Sequence, residues 1–158
     1  MNINEASDFF NSLINETTKK SEIKIYADFR GILSALKKRD LTEEDLRSID
    51  KKLTNLDLKA NPNKKKKYLK RRLQEFTSYL NKDFSLITEG YYSTIGIAFG
   101  PGFGMIFGLT VLNFIERSLG LTYGMMGGMI LGYIIGHYMD TKAEKENRVL
   151  KQSDYLKE

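Results

Sequence analysis

The 158-residue sequence contains no cysteine and no tryptophan, only two prolines and a single histidine. Without cysteine it can form neither a disulfide framework nor a thiolate metal site, and it has no thiol nucleophile. The single histidine, His137, lacks a second ligand type nearby apart from Asp140, so a metal site or proton relay has little support. We therefore expect no bound metal and no cofactor.

Charge is nearly absent from one long segment. Between Tyr91 and Met139 the only charged residues are Glu116 and Arg117. Residues 1–90 carry 19 Lys or Arg and 14 Asp or Glu, whereas residues 140–158 carry five of each sign. The net charge of +5 therefore arises before residue 91. This division predicts a cytosolic N-terminal domain over residues 1–85, a membrane segment over 91–139 and a charged tail over 140–158.

Apolar residues recur at helical spacing through the N-terminal domain. They predict helices over residues 3–18 and 21–39. Thr42 and Asp45 have the spacing of a capping box and predict the start of a third helix, whose buried face contains Leu46, Ile49, Leu53 and Leu56. The break Asn61-Pro62-Asn63 precedes a fourth helix that is predicted to run to about Asp83. The expected fold class is all-α, with about four amphipathic helices before the membrane segment.

The apolar segment is too long for a single membrane-spanning helix. At about 1.5 Å per residue, residues 93–115 and 118–138 each reach about 30 to 35 Å, which matches the hydrocarbon thickness of a bilayer. The polar residues Asn113, Glu116, Arg117 and Ser118 offer a site for the turn between them. The sequence predicts a transmembrane helical hairpin.

Glycine recurs at every fourth position along both predicted spans, giving repeated GxxxG motifs. Small residues at this spacing allow helices in a bilayer to approach closely. A turn centred at Glu116 pairs Gly96 with Gly136, Gly100 with Gly132, Gly104 with Gly128, and Gly108 with Gly124. We therefore predict a glycine zipper, in which two glycine columns pack within one chain, and an additional seam between copies in a homo-oligomer. The packing residues are Gly96, Gly100, Gly104, Gly108, Gly120, Gly124, Gly128, Gly132 and Gly136.

Pro101 and Gly102 lie inside the first predicted span. Proline lacks the backbone donor and predicts a kink there, which serves either shape or a hinge. Tyr91, Tyr92 and Tyr138 fall near one membrane face and are suited to an interfacial aromatic belt. The basic N-terminal domain lies beyond the same face, so the positive-inside rule predicts cytosolic termini and a turn on the opposite side.

A polybasic run occupies the start of the predicted fourth helix. It places seven positive charges in nine residues, at Lys64, Lys65, Lys66, Lys67, Lys70, Arg71 and Arg72. The favoured interpretation is a lipid-surface helix at the anionic inner leaflet. The alternatives are an ordinary solvated face and, less favoured, nucleic-acid binding, because a basic run alone carries no information for reading bases.

No catalytic constellation emerges from the sequence. Ser-His-Asp order, a paired-carboxylate motif and zinc-ligand spacing are all missing, and the segment from Gly100 to Gly104 lacks the Lys-Ser/Thr of a phosphate loop. We expect no catalytic residues and no enzymatic activity.

The membrane part resembles a group of known proteins. Glu89-Gly-Tyr-Tyr, the GxxxG series, Met139-Asp140-Thr-Lys-Ala143 and Arg148-Val-Leu150 are similar to small bacterial glycine-zipper membrane proteins of unassigned role. The likeness covers about 60 of the 158 residues. It implies a hairpin in the bacterial inner (cytoplasmic) membrane and no particular activity.

The expected function is that of a membrane anchor. The hairpin would anchor and oligomerise a cytosolic interaction or regulatory domain that binds an unidentified cytosolic protein. The alternative is a pore-forming or membrane-perturbing effector or channel gated by the N-terminal domain. The spans contain few polar residues, namely Thr94, Thr110, Asn113 and Thr122, which argues against a constitutive pore.

Overall fold

The computed structural model describes residues 1–60, 65–111 and 117–150. These residues form six α-helices and two strands of two residues each, so the predicted all-α class is confirmed. In chain order the elements are α1 (Ile3–Glu16), α2 (Lys20–Lys37), α3 (Glu43–Asn55), α4 (Lys65–Phe84), β1 (Ile87–Thr88), α5 (Tyr91–Val111), α6 (Arg117–Lys145) and β2 (Val149–Leu150). The chain divides into two compact units, Met1–Thr88 with Leu150, and Glu89–Val149.

Local sequence signals define the helix starts of the first unit. The predicted capping box is present at α3, where the Asp45 N–H donates to Thr42 Oγ1 (3.2 Å) and the Thr42 N–H donates to Asp45 Oδ2 (3.1 Å). A second box that was not predicted begins α1, where the Glu5 N–H donates to Asn2 Oδ1 (2.8 Å). Both satisfy N–H groups that the first helical turn leaves free. The predicted break at Pro62 lies outside the described residues.

An aromatic stack lies at the centre of the first unit. The rings of Phe10 in α1 and Phe29 in α2 are nearly parallel, with centroids 4.3 Å apart. The ring centroid of Phe76, in α4, lies 6.4 Å from that of Phe29. All three side chains are fully buried. Ile49, Leu53 and Leu56 are buried as predicted, but Leu46 is 38% exposed, so its assignment to the buried face was wrong. Leu46 lies in the first turn of α3, at the edge of the apolar stripe.

Leu150, which is distant in sequence, completes the core of the first unit. β1 follows α4 after Ser85, whose φ of 55° turns the chain sharply. β1 pairs with β2, whose second residue, Leu150, belongs to this unit and is buried in its core. Residues 149–150 therefore form a strand, although the sequence placed them in a charged tail.

The second unit consists of α5 and α6, which run antiparallel as a helical hairpin. Gly90 precedes α5 with a φ of 70°, a conformation that favours glycine. α6 continues to Lys145, beyond the predicted end of the second span at residue 138. The predicted turn residues Asn113 and Glu116 lie outside the described residues.

Candidate functional site: an apolar hairpin and a basic helix

Both helices of the hairpin are long and apolar enough to cross a membrane. Their most apolar windows have mean hydropathies of 1.6 and 1.4, yet only 17% of each window is buried. Large apolar side chains face outward, including Phe103 at 72% exposure and Leu131 at 61%. A helix in the core of a soluble protein would bury such residues, whereas lipid solvates them.

The two helices approach each other through their glycines. A Cβ placed on Gly104 would lie 2.8 Å from Gly128 Cα and would overlap Gly124 O. A Cβ on Gly128 would lie 2.7 Å from Gly104 Cα and would overlap Gly100 O. Real Cβ atoms essentially never come so close to backbone atoms. Only glycine therefore fits at these positions without separating the helices.

Three of the four predicted glycine pairs are in close contact, since a Cβ on Gly104 or Gly124 would lie 2.8 Å, and one on Gly132 3.2 Å, from the Cα of its predicted partner. The two glycine columns are nevertheless offset from exact equal-depth pairing. The carbonyl groups nearest to the α5 glycines belong to glycines one turn away from the predicted partners: Gly96 meets Gly132, Gly100 meets Gly128, Gly104 meets Gly124, and Gly108 meets Gly120. Gly136 contacts Tyr92 and Ser93, so its predicted pairing with Gly96 was wrong. Glycines of one column interdigitate with those of the other, because each carbonyl occupies the space that a missing side chain leaves. Equal-depth pairing about residue 116 ignores this offset.

Two glycines of the hairpin lie away from this interface. A Cβ on Gly102 or on Gly127 would find nothing within 4 Å. α5 is continuously helical through Pro101, although proline cannot donate a hydrogen bond to the carbonyl of Ile97 in the preceding turn. A hinge at Pro101 and Gly102 stays a prediction.

A carboxylate near the end of α6 caps the start of α5. Asp140 Oδ1 accepts from the Tyr92 N–H at 2.9 Å, and Asp140 Oδ2 accepts from the Ser93 N–H at 2.9 Å and from the Ser93 hydroxyl at 2.6 Å. The bonds satisfy first-turn donors and place a negative charge at the positive end of the helix dipole. This cap was not predicted from the sequence. The signal that could have revealed it is that Ser93 begins the first predicted span and Asp140 follows the second by two residues, so both lie at the same end of the hairpin.

His137 has an aromatic neighbour. Its ring stacks on Tyr133, with centroids 5.8 Å apart and planes inclined by 14°. Within residues 1–60, 65–111 and 117–150, no group of three or more His, Asp or Glu side chains is arranged to hold a metal ion.

The predicted tyrosine belt falls at one end of the hairpin. Tyr91 and Tyr92 begin α5, with ring centroids 5.2 Å apart in an edge-to-face arrangement. The Tyr92 N–H contacts Asp140, and Tyr138 precedes that residue by half a turn with 71% of its surface exposed. The three tyrosines therefore lie at the same end, next to the Asp140 cap.

A groove runs along one face of the hairpin. Its volume is about 760 Å³, its lining is almost entirely apolar, and glycines of both helices line it together with large side chains. The large residues of α5 are Phe99, Phe103 and Phe107, and those of α6 include Tyr123, Leu131 and Ile135. The groove offers no array of polar groups that could conduct ions or hold a polar ligand.

The polybasic run separates into two groups within α4. Lys66, Lys67, Lys70 and Arg71 are exposed, whereas Lys65 and Arg72 are half-buried, and Lys64 lies outside the described residues. With about 100° between successive residues, the four exposed positions occupy one continuous side of the helix. We call these four residues the basic face.

Arg72 belongs to a charge network inside the first unit. Its Nη1 donates to Glu75 Oε2 at 2.9 Å, and its guanidinium lies 4.7 Å from the centre of the Tyr68 ring. Lys52 Nζ donates to Glu75 Oε1 at 2.7 Å. Hydrogen bonds from Lys52 and then Arg72 hold the pKa of Glu75 below its ordinary value, while desolvation opposes the shift. Arg72 is therefore engaged within the first unit and does not belong to the basic face.

Comparisons with known proteins identify no relative. The chain matches no protein-family model, no curated protein and no solved structure. Its function must therefore be inferred from its own residues.

Proposed function

We propose that this chain is a small integral membrane protein of the bacterial inner membrane, in which a glycine-zipper hairpin anchors and oligomerises a cytosolic helical interaction or regulatory domain. The observation that carries the proposal is the combination of exposed apolar side chains with close backbone contact. Phe103 and Leu131 face outward, while Gly104 and Gly128 are in contact. In water this arrangement would be unfavourable, because it exposes large apolar side chains to the solvent. In lipid it is favourable, because the helices associate through dispersion between closely approaching backbones.

The Asp140 cap supports an interfacial position for the tyrosine end of the hairpin. Charged side chains are expensive in hydrocarbon, so Asp140 belongs near the headgroups. Tyr91, Tyr92 and Tyr138 suit the same depth. The basic first unit precedes this end along the chain, and the positive-inside rule then favours cytosolic termini.

The groove suggests how two copies associate. Phe103 lines the groove and projects from it, and Gly127 lines the same groove with free space above its Cα. The contacts of Gly104 with Gly124 and Gly128 put Phe103 and Gly127 at about equal depth. A two-fold axis along the membrane normal keeps depth constant, so Phe103 of one copy can pack over Gly127 of the other. Self-association of the hairpin is therefore part of the proposal.

Cysteine cross-linking in native membranes tests this association. Because the chain has no cysteine, Phe103→Cys introduces a single thiol into the groove. We expect a short bifunctional maleimide to cross-link it into dimers. Ile106→Cys is the matched control, since Ile106 is 63% exposed on the same helix but does not line the groove. Equal cross-linking at both positions, or none at Phe103→Cys, would contradict the proposed seam.

Ion flux through proteoliposomes distinguishes the anchor from the alternative effector or channel. The apolar lining of the groove favours the anchor, so we expect no flux above that of empty liposomes when the full-length protein is inserted and oligomeric. Specific flux that disappears in Gly104→Leu would overturn the anchor and establish the pore.

A further inference from the structure

We propose that the basic face of α4 docks on the anionic phospholipid headgroups of the same membrane that the hairpin spans. This inference rests on the proposed function, because only an inserted hairpin keeps the first unit at the bilayer. Its partner is a lipid surface rather than a discrete ligand.

The cations of the basic face share one exposed side of α4. Lys66, Lys67, Lys70 and Arg71 are exposed on one side of α4, whereas Leu69, Phe76 and Leu80 bury another side in the core. Arg72 is held by Glu75 and Tyr68. Four cations therefore point to solvent from a helix whose orientation in its domain is fixed by packing, so they form a pre-arranged surface.

The positive charge of the basic face opposes the stability of α4. The basic face lies in the first two turns of α4, whose first turn contains no acidic residue. Cations near a helix N-terminus oppose the macrodipole. No ion pair within 4 Å reaches these four residues from the part of the chain that the structure describes. An external anionic surface provides the missing charge complementarity.

A short link joins α4 to the hairpin. α4 ends at Phe84 and α5 begins at Tyr91, and a link of this length spans at most about 25 Å. The basic face lies at the other end of α4, 13 to 18 residues before Phe84 and so about 20–27 Å further along the helix axis. Link and helix together keep it within about 50 Å of the bilayer, which gives a high effective concentration. Each basic residue close to an anionic leaflet changes the docked-to-free ratio about fivefold, so four residues give several hundredfold. Among anionic macromolecules, the membrane is the one that the chain itself keeps within reach.

The test uses full-length protein in proteoliposomes with a reporter beside the basic face. Gln74 is exposed and lies one turn after Lys70 on the same side of α4. Gln74→Cys carries an environment-sensitive fluorophore, and nitroxide-headgroup lipids report its contact with the bilayer surface. We expect strong quenching in vesicles containing phosphatidylglycerol, weak quenching in pure phosphatidylcholine, and release in about 1 M salt, where the Debye length falls to about 3 Å.

The variant with Lys66, Lys67, Lys70 and Arg71 replaced by Gln should lower the docked-to-free ratio by at least a hundredfold. The matched control replaces the same number of exposed cations elsewhere in the unit, namely Lys20, Lys37, Lys38 and Lys51, by Gln. We expect this control to dock like the wild type. Equal quenching in neutral and anionic vesicles, or equal loss in both variants, would overturn the proposal.

Two further measurements separate the remaining outcomes. Resistance to alkaline extraction reports insertion of the hairpin. If the protein is inserted but its reporter stays unquenched, the docking proposal fails and the proposed function stands. If the protein does not insert, the proposed function fails, and the tethered docking fails with it. An RNA oligonucleotide is added to protein in neutral vesicles at 150 mM salt. If the basic face retains the oligonucleotide and anionic lipid gives no quenching, the partner is nucleic acid and the lipid proposal fails.

Discussion

Two adjacent glycines of α6 provide a direct test of helix packing in the hairpin. Gly127 and Gly128 share the same helix and nearly the same depth, but a Cβ at Gly127 meets nothing within 4 Å, whereas a Cβ at Gly128 meets the backbone of α5. The substitutions Gly127→Ala and Gly128→Ala add the same methyl group to the same helix. Their difference therefore isolates the effect of contact with α5.

The expected magnitude follows from the two environments. In monomeric, detergent-solubilised protein, Gly127→Ala should stabilise the hairpin by up to about 0.5–1 kcal/mol, because alanine is the better helix former and the added methyl meets no atom of its own chain within 4 Å. At Gly128 the added Cβ would lie 2.7 Å from Gly104 Cα and 2.9 Å from Gly104 N, where ordinary contacts begin at 3.4 Å. The helices must separate, and overpacking of this kind costs about 1–3 kcal/mol. Because the gain in helix propensity is common to both variants, we predict that Gly128→Ala is less stable than Gly127→Ala by the overpacking cost, about 1–3 kcal/mol.

Pyrene excimer emission can measure this difference. Phe107→Cys and Tyr123→Cys place pyrenes on the two large-residue walls of the groove, in a chain that otherwise has no cysteine. Titration with SDS in mild detergent should abolish the excimer at a lower SDS fraction in Gly128→Ala than in Gly127→Ala. Coincident midpoints for the two variants would refute the claim that glycine contact holds the hairpin together.

Three other substitutions test separate parts of the structure. Asp140→Ala removes the acceptor of the Ser93 N–H and hydroxyl and should lower the stability of the hairpin in an SDS titration by about 1–2 kcal/mol. Asp140→Asn keeps one oxygen acceptor and should lower it by less. Glu75→Gln should cost about 0.5–1 kcal/mol at pH 7 by urea unfolding. Because the pKa of Glu75 is lowered in the folded state, its contribution is present above the unfolded-state value of about 4.3 and is lost as pH falls through the folded-state pKa. The Gln variant should therefore converge with the wild type in acid, and a constant difference across pH would contradict this linkage. Phe29→Ala removes the central ring of the aromatic stack and should lower the free energy of unfolding by about 3–5 kcal/mol, whereas Phe9→Ala, at a partly buried position, should lower it by less. Similar melting temperatures of the two variants by near-ultraviolet circular dichroism would argue against a central role for the stack.

Much of the fold was accessible from local sequence patterns. Apolar spacing located α1 to α4 to within a few residues, because an amphipathic helix must present one apolar stripe to its core. The capping box at Thr42 and Asp45 was visible because its chemistry needs only residues three apart. The two apolar helices were visible from length and hydropathy alone.

Two of the unpredicted features depend on contacts between distant residues. The carboxylate of Asp140 caps Ser93 from 47 positions away, and no local motif encodes that contact. The glycine register depends on the offset between two helix surfaces, which glycine spacing leaves open by one turn. The polybasic run has seven cations in nine residues and looks uniform in sequence. Arg72 is nevertheless paired with Glu75, and four exposed cations form the smaller basic face.

Membrane topology is the most direct test of the central claim that the hairpin crosses the membrane with both ends in the cytosol. Single-cysteine variants Glu116→Cys, in the predicted turn, and Asn15→Cys, exposed in α1, can be treated with a membrane-impermeant maleimide in right-side-out bacterial inner-membrane vesicles. We predict labelling of Glu116→Cys in intact vesicles and of Asn15→Cys only after permeabilisation. Labelling of Asn15→Cys in intact vesicles while Glu116→Cys is protected would show an inverted hairpin, and labelling of both in intact vesicles would show that the segment does not span the membrane.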